Sequence, residues 1–247
     1  MNETRYFLLW LTPSILQNII FIWLMQYANP SPSQTLMDSG VSLFIQMLVT
    51  SLFALFFTVL ILALGMDFAK KIGARLLLLR DDYSVKNDII KPALVAGLIV
   101  SGIILAINLF YPLSSPFYSF VILSGWQQYI LRLLNNMLSV ISYDIGFLLV
   151  WVCGLSLLIR SIFKNISTNR LVYGSIVFVS FMRHLFTMII RFMSTAVFAI
   201  DPIVNFGVDM VLGVLFWKKG FETTVLCHLI IVFIVQIGLA MLSTFFS

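Results

Sequence analysis

Charge is scarce in this chain. Only 10% of its 247 residues are Asp, Glu, Lys or Arg, against about 25% in soluble domains, so water cannot be the main solvent of the fold. Glutamate occurs only at Glu3 and Glu222, and histidine only at His184 and His228. The two cysteines, Cys153 and Cys227, lie inside apolar stretches and read as small packing residues rather than a disulfide, and two cysteines alone make no metal framework. No nucleotide-binding motif is present, so an energy-coupled role would require a partner chain. Neither a fixed-period repeat nor a low-complexity tract is found, and no inverted-repeat symmetry argues for a transporter. No cofactor or metal is expected.

What is abundant is hydrocarbon. Hydrophobic residues make up 61% of the chain and the mean hydropathy is +1.05. A bilayer core of ~30 Å takes ~20 apolar residues per helical crossing, so six to eight crossings are possible and no separate soluble domain fits. The expected fold class is an all-α polytopic transmembrane bundle of about seven spans, in a lipid bilayer and with the bacterial cytoplasmic membrane as the expected location. The net charge of +5 falls in short clusters between apolar runs. Positive-inside orientation accounts for these, and nucleic-acid binding is discarded.

The expected first span, Tyr6 to Tyr27, is too long for a signal-peptide core and lacks a small-x-small cleavage site, so it reads as retained. The turn-rich loop from Asn29 to Ser39 belongs outside. Span two, Val41 to Met66, leads into a basic cytoplasmic loop at 67–91 with Lys70, Lys71, Arg75, Arg80, Lys86 and Lys91. Phe68 to Leu79 reads either as an interfacial helix or as an extension of span two. Span three, Pro92 to Tyr111, precedes a segment at 117–136 that is too polar to face lipid and reads as interfacial or re-entrant. Span four, Met137 to Ile159, delivers Arg160, Lys164 and Arg170 to a second cytoplasmic loop. Span five runs from Leu171 to Arg191, span six from Ile203 to Trp217 and span seven from Phe221 to Phe246, with Lys218 and Lys219 again inside. The chain thus divides into an N-terminal region, 1–136, and a C-terminal four-span core, 137–247.

Ionisable groups at bilayer depth cost ~2.5–3.5 kcal/mol on insertion scales and are therefore functional candidates. Asp144, Arg183, His184 and His228 qualify best and Asp209 is intermediate, whereas Arg191, Asp201 and Glu222 fall near expected span ends within reach of water. The structural reading pairs Asp144 with Arg183, or with Arg132 of the preceding segment. On this topology Asp144 and His184 lie in the outer half of the bilayer and His228 nearer the inner face. A carboxylate and two imidazoles on separate spans could orient a water and hold an oxyanion, as amide hydrolysis within a membrane requires.

These residues resemble motifs of the CPBP family of intramembrane proteases, also called the type II CAAX prenyl endopeptidase and bacteriocin-immunity family. The resemblance covers Met137 to Phe246. Gly213 to Gly220 followed by His228 looks like the family's glycine-bounded turn into its last histidine helix, His184 stands where the second motif places its histidine, and Asp144 where the glutamate pair would be. It implies candidate catalytic roles for Asp144, His184 and His228 and a metal-independent endopeptidase activity. The sequence departs from the pattern at Tyr143 and Leu148, where the first motif has an acid and an arginine, at Ser180 in place of a phenylalanine, and at Val232 in place of an amide or acid.

Three functional classes remain. A protease-like membrane subunit with altered chemistry would bind another membrane protein or a membrane-anchored peptide, as an immunity-type scaffold does. An active intramembrane protease would use Asp144, His184 and His228. A transporter or permease subunit would use Asp144, Arg183 and Asp209 along a polar path.

Overall fold

In the computed structural model the described residues are 1–28, 43–80, 82–110, 126–195 and 200–245. They form seven helical rods and no strand. These are α1 (Glu3–Ala28), α2 (Leu43–Ile72), α3 (Lys91–Phe110), α4 (residues 126–162), α5 (Thr168–Thr195), α6 (Asp201–Lys219) and α7 (Phe221–Phe245). A π-helical turn, Val85–Ile90, leads into α3, and a 3₁₀ turn, Leu77–Leu79, lies in the connection after α2.

Among the described residues four stretches are long and apolar enough to cross a membrane: Ser51–Ile72, Val85–Phe110, Leu133–Ile162 and Phe221–Met241. Sequence reading expects seven crossings. The 19-residue α6, with Asp201, Asp209, Lys218 and Lys219, is too charged to be among the four. The exterior is apolar in a way water would not tolerate. Phe56 is 62% exposed, Trp151 65% and Phe110 79%, and these belong to broad apolar faces on α2, α3 and α4.

α4 is the pivot, packing against α1, α2, α5 and α7, while α3 lies along α7 and α6 packs on both α5 and α7. Tyr6, Leu62, Leu148, Ile176 and Phe216 belong to one core, and Ala93, Leu212, Cys227 and Ile231 to a second between α3, α6 and α7. Small residues allow the closest approaches: a Cβ at Gly97 would meet Ile230 Cγ2 at 2.8 Å, and one at Gly238 would meet Leu105 Cδ2 at 2.8 Å.

α4 covers the expected span four, Met137 to Ile159, and begins before it. Its first stretch, Trp126–Asp144, continues without a break through Met137, where an interfacial piece was expected to end, whereas 117–125 lie outside the described residues, as does the loop at 29–42. Further along the same helix Ser142 Oγ lies 2.7 Å from Gln17 Oε1 and 3.0 Å from Ser14 Oγ on α1. A π-helical stretch, Ile145–Val152, follows, and then Cys153–Ile162. α2 extends to Ile72, the plain extension rather than a separate interfacial helix, and ends at Gly73 with φ 81°.

The three basic clusters gather at one end of the bundle. Lys70 pairs with Glu3 at 2.6 Å, Arg75 Nη1 donates to Lys218 O at 3.1 Å, Thr223 Oγ1 donates to Asp88 O at 2.8 Å and Trp217 Nε1 donates to Asn169 Oδ1 at 2.9 Å. Glu222, expected within reach of water, is buried. The link between α6 and α7 is the single residue Gly220, at φ 113°, so α7 starts inside the protein. Glu222 then places its two carboxylate oxygens on the N–H groups of Leu77 (2.9 Å) and Leu78 (3.0 Å).

Candidate functional site

Asp144 is the last residue of the first stretch of α4, and the π-helical stretch begins at the next residue. π segments are rare and concentrate at functional sites because they re-aim the side chains that flank them. Asp144 is fully buried, and its Oδ1 lies 2.9 Å from Nδ1 of His228 on α7. With Asp144 as a carboxylate, His228 donates through Nδ1, and in the tautomer that carries only this proton Nε2 is an acceptor. Asp144 Oδ2 is buried with no hydrogen-bond partner among the described residues.

Asp209 on α6 is the second centre. Its Oδ1 accepts from the Tyr143 hydroxyl at 2.8 Å, and its Oδ2 lies 2.8 Å from His184 Nε2 and 3.4 Å from Arg183 Nη1. α4, α5 and α6 therefore meet on one carboxylate. Tyr143 links the two centres. The Arg183 guanidinium lies 3.9 Å from its ring centroid, the His228 ring meets it edge-on at 5.6 Å, and Phe147 stacks on it at 5.6 Å.

The structure thus brings Asp144, His184 and His228 into one cluster and adds Asp209, Arg183 and Tyr143. The expected pairing of Asp144 with a cation is corrected. Asp144 takes His228, and Arg183 takes Asp209. Arg132 lies twelve residues before Asp144 on the same helix, about 18 Å along its axis, too far for direct contact, and its side chain is outside the described residues. The expected difference in depth is corrected as well. Because α7 begins within the bundle, His228, two turns into it, lies level with Asp144.

Tyr143 was not foreseen as a site residue. Its only sequence signal is adjacency to Asp144. At the other departures from the CPBP pattern, Leu148 is fully buried in the apolar core, Val232 is half-buried, and the Ser180 hydroxyl is buried with no partner among the described residues. Neither Leu148 nor Val232 can orient a water or a carboxylate. Among the described residues no group of three His, Cys, Asp or Glu is placed to hold a metal ion.

No protein-family model, no curated protein and no solved structure matches the chain.

Proposed function

We propose that this is a membrane protein of seven crossings whose helices α4 to α7 form a CPBP-like core with its polar cluster given over to holding the helices together, and that it acts by binding a membrane partner rather than by cutting one. The basic end faces the cytoplasm on this reading. The supporting observation is the occupation of Asp209. Hydrolysis needs preorganised donors aimed at the developing oxyanion, each typically worth ~10² to 10³ in rate. Here the candidate donors, Tyr143, Arg183 and His184, are already on Asp209, and a substrate oxyanion would have to displace a resident carboxylate from them. Leu148 and Val232 supply no replacement.

A second reading rests on Asp144 and His228. A carboxylate on Nδ1 with Nε2 left as acceptor is the arrangement of an oriented general base, and the unpartnered Asp144 Oδ2 is a place for a water. One experiment separates the readings. Purified protein in phosphatidylglycerol vesicles is incubated with membrane-anchored peptides, alongside His184→Ala and His228→Ala. The expected result is no cleavage by any of the three. Cleavage by the native chain that both substitutions abolish would make this an active protease.

A further inference from the structure

One face of α6 is unlike the rest of the apolar exterior. Met210, Val211, Val214 and Leu215 line a groove of about 380 Å³ that ends at Lys218 and Lys219. The six positions form one stripe along the helix, apolar for two turns and cationic at the last. Both lysines are exposed, and neither meets an acid among the described residues. Arg75, also exposed, donates to the carbonyl oxygen of Lys218 at 3.1 Å, which brings a third cation to that end. The nearest carboxylate in sequence, Glu222, is turned inward onto Leu77 and Leu78 and does not neutralise them.

We infer that this groove binds one anionic phospholipid from the leaflet at the basic end, with an acyl chain along Met210, Val211, Val214 and Leu215 and the phosphate on Lys218 and Lys219. The groove matches a lipid in both chemistry and order, hydrocarbon first and charge at headgroup level. Basic sites at the cytoplasmic ends of transmembrane helices select anionic headgroups in this way. A zwitterionic lipid would bring its own cation against three others. A second copy docked through the same face about a two-fold axis along the membrane normal would set Lys218 and Lys219 against their own images.

The test is native mass spectrometry of the full chain released from mild detergent after incubation with phosphatidylglycerol or with phosphatidylcholine. One retained phosphatidylglycerol is expected, with phosphatidylcholine retained at least ten-fold less. Lys218→Gln and Lys219→Gln should each weaken retention about five-fold. Both side chains are exposed, so these changes leave the packing intact. Val214→Trp should remove retention by filling the groove with both lysines present. Lys164→Gln, at the same end but off the groove, should change nothing. Equal retention of the two lipids, an equal loss with Lys164→Gln, or a protein dimer through α6 that phosphatidylglycerol fails to displace would each overturn the assignment.

Discussion

Asp209 Oδ2 stands 2.8 Å from His184 Nε2, with both residues buried, so α6 is joined to α5 by a polar contact inside the bundle. Asp209→Asn keeps the shape of the side chain and turns an acceptor toward a donor. Interhelical hydrogen bonds in membranes are worth about 1–2 kcal/mol in model systems, and the one oxygen that asparagine keeps can serve Tyr143 or the His184 and Arg183 pair but not both. Reversible unfolding in mixed SDS micelles should therefore show a loss of at least about 1–2 kcal/mol. Wild-type stability in this variant would mean that the contact does not hold the helices.

The two carboxylates should be energetically separable. A double-mutant cycle of Asp144→Asn with His228→Gln should give a coupling of about 0.5–3 kcal/mol, as residues in contact do. The same cycle of Asp144→Asn with Arg183→Gln should come out near zero, because the guanidinium is engaged by Asp209 and Tyr143. A larger coupling in the second cycle would restore the pairing that the sequence alone suggests.

Sidedness can be read by labelling single cysteines. Lys70→Cys, Lys164→Cys and Lys218→Cys should react from the same side of sealed vesicles, and Phe110→Cys and Asp201→Cys from the opposite one. Reaction of the Lys70 and Lys164 positions from different sides would be incompatible with seven crossings.

Glu222 anchors the connection after α2. Glu222→Gln replaces one carboxylate oxygen with an NH₂ group facing a main-chain N–H, and an unsatisfied buried donor costs about 1–3 kcal/mol. Faster limited proteolysis between residues 73 and 84, together with a lower Tm, is the expected outcome. An unchanged cleavage rate would show that the 3₁₀ turn is held by something other than this carboxylate.

The helices themselves were legible because the expected apolar runs, where they lie on described residues, fall within the rods that form, and the basic clusters gave the common end of α2, α4 and α6. Asp144, His184 and His228 were legible as candidates because few other ionisable groups lie so deep in apolar sequence. Their partners were not. Which acid meets which base depends on where α7 starts, and that is set by the one-residue turn at Gly220, where a Cβ would approach Leu77 Cγ at 2.8 Å. The same turn hid the burial of Glu222, which hydropathy places at a span end. Composition did not show that the helix begun at Trp126 runs on unbroken past Met137, or that Ser142 on it lies against α1. The π-helical stretch after Asp144 left no signal, since its residues, Ile145 to Val152, are as apolar as those of any buried helix.

The sharing of Asp209 among α4, α5 and α6 also bears on biogenesis. In a chain of seven crossings, α5 emerges from the ribosome carrying Arg183 and His184 before the carboxylate that receives them has been made, because Asp209 follows 25 residues after His184. A lone arginine in the bilayer costs ~2.5–3.5 kcal/mol on insertion scales. Once α6 has followed, the cation and the carboxylate cancel within the hairpin. With seven crossings, α5 and α6 would enter the bilayer together, as one helical hairpin laid against a waiting α4.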